Sequence, residues 1–321
     1  MNALNSGSIL RSSQSRKGGF LKEFRENGIL YLMSLPGMVL LFIFSYLPMS
    51  GIYMAFTDYK VKRGIFGSEF VGFDNFTFFV TSGDRALKVI VNTVVLNALF
   101  ITAGLIFQMG IAILMNEITN KTFKKVSQSV MFFPYFLSWV VIGAIVYSLF
   151  ATDVGVVNSV LKSFGLDPVR WYGEKQYWKA ILTGANIWKW SGYGSIVYLA
   201  AIAGFDPSFY EAATVDGATK FQKIKYITLP LLKPTAVTMV LFSIGRIFYG
   251  DFGMIYGIIG QNGILLEATE VIDNYVFMAM RSTLGFSGAA AIGVIQSVLG
   301  LIMILGANKL AKKINDGVGL F

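Results

Sequence analysis

Charged side chains are costly inside long apolar stretches, so those found there are the first candidates for chemistry. Arg246 stands in such a stretch, with Asp251 five residues further on. The two can neutralise one another, or the guanidinium can hold an anionic group of a ligand. Trp188, Trp190 and Tyr193 lie in one apolar stretch, and Tyr249, Phe252 and Tyr256 in another. Trp and Tyr join a flat apolar face to a hydrogen-bonding rim, which serves for helix packing, interfacial anchoring or ligand contact. Lys189 lies among the first group, where its stem can carry the ammonium out to water.

A second group occupies a polar connection that begins Phe205-Asp206-Pro207-Ser208-Phe209-Tyr210-Glu211-Ala212-Ala213. It continues Thr214-Val215-Asp216-Gly217-Ala218-Thr219. Asp206 or Ser208 can N-cap a short helix, with Pro207 in its first turn. Glu211 then sits near the positive end of the helix dipole. Gly217 permits the left-handed backbone that ends the helix. Phe221, Ile224 and Ile227 follow at helical spacing, and Pro230 and Pro234 are expected to close this second short helix before the next apolar stretch. The alanines make a slim apolar bump, suited to a groove on another protein or to a membrane surface.

Much chemistry is excluded. There is no Cys and no His, which removes disulfides, thiolate and imidazole metal sites, Cys nucleophiles and His-based triads. No Gly-x-x-x-x-Gly-Lys-Ser/Thr loop is present to cradle a nucleotide phosphate. No pair of aspartates lies within the apolar stretches, which argues against an intramembrane enzyme.

The elements that position these residues must suit an apolar solvent. The chain has 321 residues, 55% of them hydrophobic and 14% charged, against about 25% charged in a soluble domain. Six apolar segments run roughly over 30–56, 90–115, 129–150, 181–203, 235–259 and 289–310. Each has about 20 residues or more, enough at about 1.5 Å per residue to cross a hydrocarbon core of about 30 Å. Backbone groups in lipid need internal partners, so the segments are predicted to be helices, and no alternating ten-residue pattern suggests a barrel. The expected fold is an all-α integral membrane protein with six transmembrane helices. The first segment is too long for a cleaved signal and is expected to remain as an anchor.

Six spans put both termini on one side. Arg11, Arg16, Lys17, Lys22 and Arg25 precede the first span, which assigns the N-terminus to the cytoplasm. Lys121, Lys124 and Lys125, then Lys220, Lys223, Lys225 and Lys233, then Lys309, Lys312 and Lys313 fall on the same side. The net charge of +9 is therefore read as membrane topology, not as a nucleic-acid surface. Residues 1–27 are expected to form a cytoplasmic tail with a basic amphipathic end, 28–314 the membrane domain, 205–234 a cytoplasmic loop within it, and 315–321 a C-terminal tail. The outer connections 57–89 and 151–180 are aromatic, including Phe66, Phe70 and Phe73, then Trp171, Tyr172, Tyr177 and Trp178. These rings suit an interfacial belt or contact with an external partner.

Glu211-Ala212-Ala213, Asp216-Gly217-Ala218, Ile227-Thr228-Leu229-Pro230 and Pro234 closely resemble the EAA motif of permease subunits in binding-protein-dependent bacterial ABC importers. Ile224 departs from the family pattern, where Phe is frequent, but it keeps an apolar anchor. A weaker likeness covers most of the remaining chain: Asn92-Thr93, Phe133-Pro134-Tyr135, and Gly155-Val156-Val157-Asn158 followed by Leu161 and Gly165-Leu166. The sequence is most similar to oligosaccharide permeases of the maltose and glycerol-phosphate type, in the Gram-positive branch serving complex plant polysaccharides.

That resemblance implies a type I importer permease in the bacterial cell membrane, with a cytoplasmic coupling helix entering a cleft on an ATPase. Glu211, Ala212, Ala213, Asp216, Gly217 and Ala218 are the implied contacts. Glu211 would meet a basic residue of the ATPase or serve only as a charge at the helix dipole. The chain itself would carry no cofactor, with ATP and Mg on two partner ATPase subunits. A second homologous permease and an extracellular solute-binding lipoprotein would complete the system. Trp188, Trp190, Tyr193, Arg246, Tyr249, Asp251 and Tyr256 become candidates for the substrate path, because sugar rings pack on aromatic faces. With Arg246 they suggest an acidic oligosaccharide such as a pectin or rhamnogalacturonan fragment. The alternative is a secondary transporter driven by an ion gradient, which usually shows internal repeats and several intramembrane carboxylates. No repeat is visible, and Asp251 is the one carboxylate expected within the spans.

Overall fold

A computed structural model of the chain describes residues 27–81, 83–282 and 285–314. The predicted N-terminal tail and amphipathic stretch, apart from Asn27, and the tail 315–321 lie outside the described residues. The chain divides into two units, 1–52 and 53–321.

Helix α1, Gly28–Phe56, begins in the first unit, passes through a π turn at Phe42–Tyr46 and tightens to 3-10 geometry over Leu47–Phe56. In the second unit, Thr57–Asp58 pairs antiparallel with Glu69–Phe70 in a two-stranded ribbon. Helix α2, Gly83–Glu117, has 35 residues and starts earlier than its apolar pattern suggested. Helix α3, Lys121–Phe132, ends in a 3-10 turn at Phe133–Phe136, and α4 is Trp139–Phe150. The expected single helix over 129–150 is thus broken, with a bend of 100° between its halves. Pro134 removes an amide donor, and Ser138 caps the restart by accepting the amide of Val141.

Beyond the short α5, Val156–Ser163, the chain enters α6, Trp178–Ala203, and then α7, Ser208–Val215. Helix α8, Lys220–Ile244, runs through a π turn at Ile224–Thr228. Here the structure corrects two expectations. Pro230 and Pro234 do not end a short helix. Pro230 sits in the first turn after the π turn, and Pro234 lies inside the continuing helix. The span expected over 235–259 stops at Ile244, turns at Gly245–Gly250, and restarts as α9, Phe252–Ile258. Arg246 is therefore in a turn, not on a helix face. Two further helices, α10 (Gly263–Thr269) and α11 (Ile272–Ser282), precede α12, Gly285–Ile314.

Among the described residues, α1, α2, α8 and α12 are long and apolar enough to cross a membrane, and the bent α3–α4 pair counts as a fifth span. Helix α6 has 26 residues, about 39 Å of helix, so its length also suffices. It is less apolar because it carries Asn186, Lys189, Ser191 and Ser195. The most extensive helix pairing joins α2 to α6. One core gathers Leu96, Ile142, Trp178, Leu182, Met254, Ile255 and Leu265 from α2, α4, α6, α9 and α10. Helices α4 and α9 touch backbone to backbone: a Cβ at Gly143 would lie 2.0 Å from the Gly257 carbonyl oxygen.

Segments singled out in the sequence make identifiable local contacts. Thr93 accepts the amide of Ile272 at 2.9 Å, and Asn92 donates to the Glu267 carbonyl, joining α2 to the α10–α11 corner. Buried Asn158 donates to the Thr152 and Val169 carbonyls and accepts from the Val169 amide and the Trp171 indole. In this connection Trp171, Tyr172 and Trp178 form an edge-to-face cluster with Phe150 and Tyr147, so these rings pack within the chain. Phe66, Phe70 and Phe73 remain exposed.

Candidate functional site

Two sites emerge at different levels of the second unit. The first is the turn between α6 and α8. Pro207 occupies the N-cap of α7, and Asp206, one residue earlier, accepts the amide of Ser208 at 2.9 Å. That N–H, closely matched to the carboxylate, holds the Asp206 carboxyl below its ordinary value. Glu211 is in the first turn, as the dipole favours. Gly217 has φ of 74°, the left-handed conformation its position required. Thr219 and Gln222 then close a reciprocal capping box at the start of α8. Tyr210 reaches back to the buried Thr228 hydroxyl at 3.0 Å, and Lys223 donates to Thr214 at 2.7 Å. These bonds fix α7 against the base of a spanning helix. Glu211, Ala212, Asp216 and Gly217 are exposed, and Ala213 and Ala218 are half-buried. Around them Phe209, Val215 and Phe221 also project, Val215 being 89% exposed. The result is a rigid, protruding surface of small and apolar residues.

The second site is a cavity of about 540 Å³ bounded by α2, α6, the end of α8 and the turn that follows. Of the sequence candidates, Trp190, Tyr193, Arg246, Tyr249 and Asp251 line it. Trp188 and Tyr256 do not. Trp188 is about half exposed, and Tyr256 stacks on Phe252 beside Phe277.

Arg246 and Asp251 do not pair. Asp251 accepts the Trp139 indole at 2.8 Å and caps α9 by accepting the Met254 amide at 2.9 Å. Each of its oxygens accepts one of these bonds, and the Arg246 guanidinium is exposed to the cavity without a hydrogen bond or ion pair among the described residues. The turn bearing Arg246 is itself fixed. Asn97 donates to the carbonyls of Ile247 and Tyr249, both at 3.0 Å. Asp273 accepts the Gly250 amide at 2.5 Å, Gln296 donates to the Phe248 carbonyl, and the Tyr249 hydroxyl meets Ser297 at 2.9 Å.

Sequence reasoning missed Asn97, Gln108, Asn186 and Ser243 in the lining, and Tyr135 behind it. The signal was present in the spacing. Asn97, Gly104 and Gln108 follow one face of α2, and Asn186, Trp190 and Tyr193 follow one face of α6, at three- and four-residue steps. The amides of Gln108 and Asn186, like Arg246, have no hydrogen-bond partner among the described residues. Tyr135, from the break between α3 and α4, stacks on Tyr193 with ring centroids 4.2 Å apart and planes 5° apart. Lys189 does not reach out to water as expected; it is 6% exposed and lies behind this wall. The cavity thus combines flat aromatic faces with unpaired amides and one unpaired cation. That set can hold a polar ligand with apolar faces and a negative charge.

Comparison with known proteins agrees with this architecture. Protein LplB of Bacillus subtilis (strain 168) is 34% identical over 292 residues, covering 91% of each chain. The polygalacturonan/rhamnogalacturonan transport system permease protein YteP of the same organism is 34% identical over 308 residues, covering 96% of this chain and 95% of its own. A chain of the crystal structure of a bacterial alginate ABC transporter, in complex with an alginate pentasaccharide-bound periplasmic protein, superposes with a TM-score of 0.82. It is 32% identical in sequence, with coverage of 94% of this chain and 99% of that one. The family of binding-protein-dependent transport system inner membrane components matches residues 108–316, taking in most of the cavity lining and the α6–α8 turn, and the chain belongs to that family.

Proposed function

We propose that this chain is the permease subunit of an ATP-driven importer of acidic oligosaccharides, delivered by an extracellular solute-binding protein. The observation that carries the reading is the unpaired Arg246 guanidinium in a cavity walled by Trp190 and Tyr193, with free amides at Gln108 and Asn186. Two relatives support the substrate class. YteP is named for polygalacturonan and rhamnogalacturonan, and the alginate transporter is described as importing an acidic polysaccharide.

In this reading α7 is the coupling helix. Glu211, Ala212, Ala213, Asp216, Gly217 and Ala218 enter a cleft on one of two ATPase subunits, which carry ATP and Mg. The exposed Val215, Phe209 and Phe221 would be covered there. The bonds from Tyr210 to Thr228 and from Lys223 to Thr214 let a push on α7 reach α8, whose far end leads into the turn that carries Arg246. A second, homologous permease faces the cavity, both termini lie in the cytoplasm, and the chain itself performs no hydrolysis.

The test is uptake by the assembled importer of a uronate oligosaccharide and of its neutral, methyl-esterified counterpart. Loss of a charge-assisted contact in Arg246→Ala should lower uptake of the acidic probe about tenfold or more, with little change for the neutral one. Equal uptake of both by the variant and the parent would remove acidic-ligand recognition from Arg246.

A further inference from the structure

Lys189 is a buried cation in the middle of α6, and neither the cavity lining nor the coupling surface uses it. A buried ammonium needs partners, because the charge has lost its hydration. Its partners here are two main-chain carbonyls at the break in the third span. It donates to Tyr135 O at 3.0 Å and to Leu137 O. Those carbonyls face no following helical turn, because the backbone bends by 100° between Phe136 and Trp139. Lys189 therefore substitutes for the helical bonds that the break forgoes.

The same ammonium lies over three rings: Trp139 at 5.3 Å, Trp190 at 5.7 Å and Tyr135 at 5.9 Å from their centroids. Tyr135 in turn packs against Trp190 and stacks on Tyr193, and those two rings line the cavity. A cation held against aromatic rings offsets the negative potential of their faces. A ring wall with no such backing repels a carboxylate that approaches its face. One backed by an ammonium accepts it. Asp251 accepts the indole N–H of Trp139, the same ring over which the Lys189 ammonium lies.

We propose that Lys189 is a specificity-determining positioning residue. It fixes the Tyr135–Trp190–Tyr193 wall by holding the broken span, and its charge, acting from behind the rings, favours anionic sugars over neutral ones. The inference rests on the oligosaccharide reading above and deepens it.

The experiment measures KM for uptake of the uronate oligosaccharide and of its methyl-esterified counterpart by the complete importer in proteoliposomes. Lys189→Gln keeps amide donors for the two carbonyls and removes the charge. It should raise KM for the acidic probe about tenfold relative to the neutral one, as expected for one charge acting across a partly dry wall. Lys189→Arg keeps the charge and should restore the parental ratio. Lys189→Met removes the charge at similar length and should shift the ratio as Lys189→Gln does, which keeps the test open if Lys189→Gln fails to assemble. A ratio unchanged in whichever of Lys189→Gln and Lys189→Met assembles overturns the inference while leaving the oligosaccharide reading intact. Import of neither probe by the parent importer overturns both.

Discussion

At the residue scale, the site depends on where carboxylates and amides spend their hydrogen bonds. Asp251 accepts from the Trp139 indole and the Met254 amide and makes no ion pair with Arg246, although only five residues separate them. Asn97 does the opposite service for the turn. Its one side-chain amide group holds two carbonyls, of Ile247 and Tyr249, that no helix satisfies. Asn97→Leu keeps the volume and removes the donors. It should cost about 1–3 kcal/mol of stability, read as a lower melting temperature of the purified protein in detergent. Transport should fall with it, because the turn carries Arg246. A variant with unchanged melting and full transport would show that the turn is held by Asp273 and Gln296 alone.

At the element scale, the α6–α8 turn was readable in advance because each of its features is local. A cap, a charge at a helix start, a glycine past a helix end and a Thr-x-x-Gln box need only a few neighbouring residues. Gly217 at φ 74° is the strongest of these. A β-branched residue there carries a left-handed strain of about 1–2 kcal/mol, whereas Asn tolerates that conformation. Gly217→Val should therefore reduce co-purification of the ATPase with the tagged chain and abolish substrate-dependent ATP hydrolysis, and Gly217→Asn should retain both. If the two variants behaved alike, backbone geometry at this position would not be what coupling requires. The breaks at 137–138 and 245–250 were not readable in the same way. Pro134 signalled the first only as one proline among several, and Pro234 sits in an unbroken helix.

At the scale of the whole molecule, the proposal that α7 and both termini lie in the cytoplasm, with 151–180 on the outer side, rests on the distribution of Lys and Arg. The absence of cysteine makes this directly measurable. Single substitutions at exposed positions, Val215→Cys and Asp167→Cys, give two probes for a membrane-impermeant maleimide. In intact cells stripped of any outer barrier, Asp167→Cys should label and Val215→Cys should not. Opening the membrane should expose both. The reverse pattern would invert the topology and place the coupling surface on the wrong side for an ATPase.

The sequence by itself determined the solvent, the class of element and the local geometry of the α6–α8 turn. Hydrocarbon requires long runs of apolar residues with internally bonded backbone, and that requirement is written in composition and length. It also marked Trp190, Tyr193, Arg246, Tyr249 and Asp251 as polar or aromatic residues at depth. Only the tertiary structure decided which of these share a cavity, since Trp188 and Tyr256 have the same composition signal and point elsewhere. It alone decided that Asp251 bonds Trp139, 112 residues away, and that Lys189 holds the carbonyls of Tyr135 and Leu137. Partner choice among buried polar groups is settled by long-range packing. Burial makes an unpaired group costly, and the group that ends up nearest in three dimensions, not in sequence, removes that cost.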